Sequence, residues 1–562
     1  MNAPAPIPRP HVNPVPRFSA SVVVLRDGAA GLEVLMLRRA ERANDQNSGA
    51  AVFPGGLLDA QDSLHHALCS GLDDTQASRR LGLNANGLDY WMAAVRECFE
   101  ESGLLFARGA DDQPAHLDDL PAEERRALRH SLHAGDLDLA ALCARFGLTL
   151  DVGALTYLSH WITPPGRPKR FDTRFFVAVA PAPQQAVADE TETTELMWLT
   201  PQQALSPERG LKLLNVTEVT LKQLAGFGHT ADVIAHAAAQ PLAPAIRPVV
   251  GAGERGPVVV MPGEWPYDEI ARLDPEGRGH VAVDLKPGRA VRLSERVIRI
   301  TADNGSVMTG PGTNAYFVGS GTQWALVDPG PDDATHVKSL LEQAAQLPGP
   351  LQWILCTHTH KDHSPAAAAL HRATGAPRAG RVAAHPEWQD TGFAPERVLA
   401  HGDRINLGPD CTLRVVHTPG HASNHLCFLL EQERLLFTGD HLMQGSTVVI
   451  NPPDGDMAAY LASLEALLQE DLDHLAPGHG FLIAQPHAVV KKTIAHRLGR
   501  EAKVVDALRA GGPAALDALV TRVYADVPER LHAVARRSLQ AHLLKLQGEA
   551  RTVKEGEVWR LA

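Results

Sequence analysis

Two apolar runs open the chain, Ser19-Ala20-Ser21-Val22-Val23-Val24-Leu25 and Glu33-Val34-Leu35-Met36-Leu37, and the Asp27-Gly28 turn between them predicts a hairpin. Val52-Phe53-Pro54-Gly55-Gly56 follows as a rigid turn whose glycines admit close backbone approach. Asp89 to Leu105 then carries the spacing of a helix. From about residue 280 to 490 the pattern changes to short apolar runs ending in Gly- and Asp-bearing turns. Ala315-Tyr316-Phe317-Val318-Gly319 and Trp324-Ala325-Leu326-Val327-Asp328-Pro329-Gly330 read as strands, 332–346 as a helix, and Leu351-Gln352-Trp353-Ile354-Leu355-Cys356 as a buried strand. Beyond Arg497 helical periodicity takes over at 500–508, 514–524 and 530–548, the last with an apolar stripe at Leu531, Val534, Leu539 and Leu543. Val553 to Arg560 reads as a β-wing.

Composition sharpens this. At 562 residues the chain exceeds one core, and about three or four domains are expected. Ala- and Pro-rich composition at 226–265 marks a linker. Hydrophobic content of 44% and charged content of 21% are those of a globular protein, and a net charge of -12 argues against wholesale coating of nucleic acid or membrane. Cys69, Cys98, Cys143, Cys356, Cys411 and Cys427 are scattered, which fits a reducing compartment and no cysteine zinc site. Residues 1–16 are expected to be a Pro-rich disordered tail, not a signal peptide. No apolar run reaches the roughly 18 residues of a membrane span. The expectation is a cytoplasmic enzyme with no membrane partner, and self-association into a homo-oligomer stays open.

The candidate chemistry concentrates after the strand at 351–356, in Thr357-His358-Thr359-His360-Lys361-Asp362-His363. Imidazole nitrogen and carboxylate oxygen suit zinc and similar transition metals. Three later strand-like runs end in turns bearing the same ligand types: Thr418-Pro419-Gly420-His421, Gly439-Asp440-His441 and Pro477-Gly478-His479-Gly480. A lone His in such a turn is usually structural; its recurrence beside Gly at successive strand ends points to convergence on one site.

A second pattern lies on the early helix, where Glu97, Glu100 and Glu101 share one face and could hold Mg²⁺, although a charged stripe is more often a solvated face. Gly56, Asp62 and Arg96-Glu97-Cys98-Phe99-Glu100-Glu101-Ser102-Gly103-Leu104 resemble the box of the Nudix hydrolases, Gly-x5-Glu-x7-Arg-Glu-U-x-Glu-Glu-x-Gly-U with U apolar. Asp62 replaces the family's first Glu, and about 26 extra residues, of the kind that fall in loops, separate the halves. Trp161-Ile162-Thr163-Pro164-Pro165 and Arg170 to Phe176 look like the branch that includes coenzyme A diphosphatases. The resemblance implies an α/β/α sandwich over 17–225, Mg²⁺ or Mn²⁺ on Glu97, Glu100 and Glu101 with Arg96 orienting them, and cleavage of nucleoside diphosphate derivatives such as CoA. A scaffold or nucleotide-sensing regulatory module on the same fold is the alternative.

The ordered set His-x-His-x-Asp-His, Thr-Pro-Gly-His, Gly-Asp and Pro-Gly-His-Gly resembles the metallo-β-lactamase superfamily. That implies an αββα sandwich over 266–496 with two zinc ions at the sheet edge. His358, His360 and His421 would bind one ion; Asp362, His363 and His479 would bind the other, with Asp440 bridging and Asp328 supporting. Such a centre activates water, and Asp362 or Asp440 would hold it and take its proton. Helices and a wing at 497–562 resemble a winged-helix α+β module. It has twelve Lys and Arg against eight Asp and Glu, a net +4 that permits phosphate contact, while a helical cap over the active site is the plainer reading. With Gly310-Pro311-Gly312-Thr313-Asn314-Ala315-Tyr316, this arrangement looks like the β-lactamase-like-2 group, whose members include a single-strand-specific endoribonuclease. The whole reads as an α/β multidomain hydrolase acting on a small molecule or single-stranded nucleic acid. Hydrolysis of single-stranded RNA is the leading expectation, with acyl-glutathione or acyl-CoA thioester hydrolysis as the alternative.

Overall fold

The structure, a computed structural model, describes residues 13–41, 47–115, 117–189, 193–242 and 244–562. Most of the tail expected at 1–16 therefore lies outside the described residues. The chain divides into two compact units, the first built mainly from residues up to Val250 and the second mainly from His280 to Ala562.

In the first unit the described residues form a mixed eight-stranded sheet. Strand β1 (Arg17–Gly28) pairs antiparallel with β2 (Gly31–Arg39), Leu25 opposite Val34, as the hairpin pattern requires. Helix α1 (Leu88–Ser102) covers one face of the sheet. On the other side of β1 runs β3 (Phe171–Val179), parallel to it with Val22 opposite Phe176. Alternation along β1 sends Val22 and Val24 to the core under α1 and Val23 and Leu25 to a second core on the opposite face. That second core is closed in part by α2 (Thr230–Ala239), through Val233 and Ala237. The unit is thus an α/β/α sandwich. The linker expected at 226–265 instead carries α2 and the strands Val249–Gly253 and Gly256–Val260. Its alanines are strong helix formers once a sheet face is there to cover.

The second unit holds two sheets, of seven and six strands among the described residues. The first contains β4 (Asn314–Ser320), β5 (Gln323–Val327) and β6 (Leu351–Leu355), with α3 (Ala334–Ala345) between the last two and α4 (Ala366–Thr374) after them. The second contains β7 (Thr412–His417), β8 (Leu426–Leu430), β9 (Leu435–Gly439) and, beyond helix α5 (Met457–Leu467), β10 (His474–Pro477). Tyr316 and Val318 of β4 meet Leu435 and Phe437 of β9 in the core between the sheets. Ala315 and Phe317 face outward among α3 and α4, and Leu436 faces outward toward α5. The central strands therefore bury both faces, and the architecture is an αββα sandwich.

Helix α6 (Pro486–Gly511) runs unbroken through Arg497, where a boundary between domains was expected. With α7 (Leu516–Val523), α8 (His532–Gly548) and a small three-stranded sheet carrying the wing at Thr552–Glu555 and Val558–Leu561, it encloses its own core of Val504, Leu519, Leu539, Leu543 and Trp559. Among the described residues no helix is long and apolar enough to cross a membrane.

Candidate metal centre

The seven residues singled out in the second unit sit just beyond the carboxyl ends of β6, β7, β9 and β10, and the turns that carry them are tied together. Leu426 N donates to Thr357 O (2.7 Å) and Gly478 N to Gly439 O (2.8 Å), joining strand ends across and within the sheets. Gly439 has φ +46°, and a Cβ there would lie 2.4 Å from Thr357 Oγ1, so only glycine lets this turn close.

Around this frame four of the five imidazoles are turned by a bond on the far side. His363 Nδ1 donates to Asp328 Oδ2 (3.0 Å), His421 Nδ1 to Val449 O (2.8 Å) and His479 Nδ1 to Gly312 O (3.1 Å). Thr357 Oγ1 gives its proton to Asp328 Oδ2 (2.8 Å), so its lone pair accepts from His358 Nδ1 (3.0 Å). Asp328 itself is buried, at φ +50°, and also accepts from Thr357 N (2.7 Å). Four Nε2 atoms are thereby left aimed inward.

They converge in two groups that share Asp440: His358, His360, His421 and Asp440, and Asp362, His363, Asp440 and His479, with the ligand atoms of each within 4.8 Å of one another. In the first, His358 Nε2 and His421 Nε2 each lie 3.0 Å from His360 Nδ1. In the second, His479 Nε2 is 3.3 Å from Asp362 and 3.2 Å from Asp440, and His363 Nε2 is 3.4 Å from each carboxylate. His363 Nε2, His479 Nε2 and Asp440 Oδ1 are buried without a hydrogen-bond partner among the described residues. Lone pairs packed this closely repel unless a cation lies between them, so the donor set fits a pair of divalent ions.

The electrostatics divide the two groups, the second holding on its imidazoles a proton whose charge a bound cation would replace. Burial opposes an imidazolium at His363 and His479, yet Asp362 and Asp440 outweigh it and hold His363 well above the usual range and His479 up to about 9. Burial would raise Asp440, but His479 and His363 pull it well below the carboxylate range. His360, whose desolvation is reinforced by His421, falls to about 4, and His358 and His421 also fall, so their nitrogens stay free to ligate.

Two buried imidazoles here were not singled out in the sequence. His425 lies behind His358, ring centroids 5.0 Å apart and nearly parallel, and His441 follows Asp440. Burial pushes His425 well below its usual range and His441 to about 3. The only signals for them were adjacency to Asp440 and a position four residues past His421.

On the ligand side opens a cavity of about 500 Å³. His360, Asp362, His421 and Asp440 line it, as do the apolar Val527, Leu531, Val534 and Ala535 and the cationic Arg497, Arg500 and Arg537 of the carboxy-terminal part of the chain.

The first unit gathers its acids differently. Arg96 holds Asp62 through two bonds (3.0 and 3.1 Å), donates to Leu57 O (2.8 Å), and also reaches Glu97 (2.8 Å) and Glu100 (3.4 Å). Glu100 meets His133 (3.2 Å), and Glu101 accepts from Gly55 N (2.9 Å). Because these carboxylates already have partners pulling them apart, Glu97, Glu100 and Glu101 do not gather as tightly as the two histidine groups. Burial lifts Glu97 to about 7 against the pull of Arg96. Gly56 carries no side chain because a Cβ would lie 2.3 Å from the Glu97 carboxylate. Asp62 reaches Arg96 from a short capped turn, where Asp59 and Asp62 form a reciprocal capping box. A cavity of about 690 Å³ lies over the acids, and Arg17, Arg39 and Lys169 also line it.

The profile of the Metallo-beta-lactamase superfamily matches residues 308–479. A Beta-lactamase-like protein 2 homolog of Drosophila melanogaster is 32% identical over 270 residues, covering 46% of this chain and 90% of that protein. The chain belongs to the metallo-β-lactamase superfamily. Around its metallo-β-lactamase domain, the NUDT19 Nudix domain profile matches 74–209 and that of the Beta-lactamase associated winged helix domain matches 515–559. An atrochrysone carboxyl ACP thioesterase of Aspergillus chevalieri is 32% identical over 273 residues, covering 47% of this chain and 85% of that protein. Among solved structures, a NUDIX hydrolase from Alicyclobacillus acidocaldarius is 27% identical, covering 40% of this chain and 99% of that one, with a TM-score of 0.34. The protein is a metallo-β-lactamase superfamily hydrolase with a Nudix domain, and that fold implies divalent metal binding.

Proposed function

We propose that the metallo-β-lactamase centre hydrolyses acyl thioesters, with two zinc ions held by His358, His360 and His421, by Asp362, His363 and His479, and by Asp440 between them. The observation that carries this reading is the cavity: Val527, Leu531, Val534 and Ala535 line it together with the ligands, an apolar wall suited to an acyl chain. The name of the Aspergillus chevalieri relative points the same way. RNA hydrolysis, the leading expectation from sequence, loses support because the cations of the winged-helix module are largely spent on ion pairs: Arg500 and Lys503 on Asp526, Arg536 on Asp517, Arg551 on Glu501 and Arg560 on Glu555.

Bound divalent ions would lower the pKa of water and offset charge developing on the carbonyl oxygen. The chain's own part is to place that water and move its proton. Of the two ligand carboxylates Asp362 is the more open, its side chain 26% exposed against 11% for Asp440, and Thr313 Oγ1 donates to it at 3.4 Å. Its Oδ2 takes the proton as the water oxygen bonds to the thioester carbon, and returns it to the thiolate as the carbon–sulfur bond breaks. His421 and Asp440 line the same cavity.

For the Nudix domain we propose Mg²⁺- or Mn²⁺-dependent cleavage of a nucleoside diphosphate derivative. The cations Arg17, Arg39 and Lys169 lining the cavity over Glu97, Glu100 and Glu101 support it. The six cysteines are free, in keeping with a reducing, cytoplasmic setting.

The deciding experiment offers the purified protein and its Asp362→Ala variant acyl-CoA, acyl-glutathione, bis(p-nitrophenyl) phosphate and single-stranded RNA. Thiol release by the parent and not by the variant is expected. Cutting of RNA without any thiol release would replace this reading with phosphodiester hydrolysis.

A further inference from the structure

The mouth of the metallo-β-lactamase cavity holds an arrangement that the hydrolytic centre does not use. Trp388 is 60% exposed there, although a large aromatic ring gains by burial. Its backbone sits at φ +69°, a region a bulky residue avoids unless its surroundings impose it. The guanidinium of Arg537, from α8, lies 5.1 Å from the ring centroid, leaving the opposite face of the indole open. Arg537 is half-buried and has no carboxylate partner among the described residues, unlike Arg500 in the same lining, which is held by Asp526 at 2.7 Å. Lys361 is exposed, lines the same cavity, and likewise has no carboxylate partner among the described residues.

An open aromatic face beside two uncompensated cations matches a planar ring attached to an anion. The acyl wall is formed by other residues of the cavity, so this group faces the other half of the substrate. We propose that Trp388, Arg537 and Lys361 form a subsite for the leaving half of the thioester, and that this half ends in a nucleotide, its base on the indole and its phosphates on the two cations; the inference rests on the thioester reading above. A carboxylate-ended thiol would engage the cations but leave the ring unused. The exposed carboxylate of Glu387 lines the same mouth and opposes any phosphate there, so the cations must outweigh it.

The test compares one acyl group on three thiols, coenzyme A, glutathione and N-acetylcysteamine, with free thiol as the readout. In the parent protein kcat/KM for the coenzyme A thioester should exceed that for N-acetylcysteamine about a hundredfold, since stacking and charge contacts of this kind are each worth about tenfold. Trp388→Ala and Arg537→Gln should each reduce that ratio about tenfold, Trp388→Phe should retain most of it, and Glu387→Gln should raise it. A parent ratio near one, a ratio untouched in Trp388→Ala and Arg537→Gln, or a preference for the glutathione thioester overturns the subsite while leaving the thioester reading in place. Absence of thiol release from all three substrates overturns that reading and the subsite with it. Competition by single-stranded RNA that Arg537→Gln relieves would assign this surface to nucleic acid instead.

Discussion

In the Nudix domain, Asp62, Glu97 and Glu100 face a guanidinium that belongs to the chain, whereas in the metallo-β-lactamase domain Asp362 and Asp440 face imidazole nitrogens. Both clusters crowd acids into a poorly solvated place, and both need positive charge to stay there. Arg96 supplies it permanently in one. In the other, four imidazoles are backed by Asp328, Thr357, Val449 and Gly312 so that their Nε2 atoms point inward, and the positive charge is exchangeable, a proton on His363 and His479 or a bound cation in its place. The first arrangement should fold and persist with or without metal; the second should depend on it.

The largest effect expected from this contrast is at the shared carboxylate. Asp440→Ala should lower hydrolytic turnover at this centre by roughly 10³-fold or more and reduce its content of divalent metal, because both groups lose a ligand. Two metal equivalents per chain in that variant, measured by elemental analysis, would break the comparison at its centre. Arg96→Met probes the other side. It strands Asp62, 1% exposed, without its partner, which should cost the Nudix domain about 3–5 kcal/mol and show as faster hydrogen exchange across residues 17–28. Exchange at the parental rate would mean that Arg96 is not what holds the acids in place.

The same contrast explains what could be read from the sequence. The histidine motifs were legible because each ligand sits within a few residues of a strand end, where the apolar run stops and a Gly-bearing turn begins. The two sandwich folds were implied by the family resemblances. Runs such as Val22 to Leu25 and Ala315 to Val318 are apolar at every position, so the sequence marks them as strands buried on both faces without saying which side chain enters which core. Backing contacts were harder: Thr357 lies inside the motif, but its bond to Asp328 joins the ends of two parallel strands that no local pattern relates. The role of Asp62 was hidden by the residues between it and Arg96. Trp388 and Arg537 are about 150 positions apart, and only packing of α8 brings them together. Composition misled at 226–265, where alanines that suit a linker equally suit α2.

A third buried acid shows what the chain does when it supplies the cations itself in excess. Glu501 of α6 meets Lys545 at 2.9 Å and Arg551 at 3.1 Å, with His542 3.7 Å away. Burial would raise its carboxyl, but His542 and Lys545 outweigh that and hold it at about 2. The unfolded chain, with an ordinary Glu value near 4.5, takes up its proton first as pH falls. The stabilisation is therefore complete above about pH 4.5 and disappears as pH falls toward 2, and it amounts to at most about 3 kcal/mol. Glu501→Gln should be less stable at neutral pH and should lose less stability than the parent between those two pH values. Acid unfolding of the winged-helix module, followed at Trp559, checks it: parallel curves for variant and parent would show that the ion pairs hold nothing.

The smallest effect separates the backing of one metal group from the other. Asp328 accepts from Thr357 N, Thr357 Oγ1 and His363 Nδ1 at once. Asn at this position keeps one accepting oxygen but turns an amide N–H toward His363 or Thr357, so one of the two must rotate. His363 belongs to the group with Asp362 and His479, while the link to the other group runs only through Thr357 and His358. Asp328→Asn should therefore weaken one equivalent of zinc by about 10- to 100-fold and the other less, in a competition titration against a chelator of known affinity. An equal loss at both sites would mean that the backing bonds act as one network spanning the two groups. Unchanged affinity at both would mean that strand-end geometry alone aims the imidazoles.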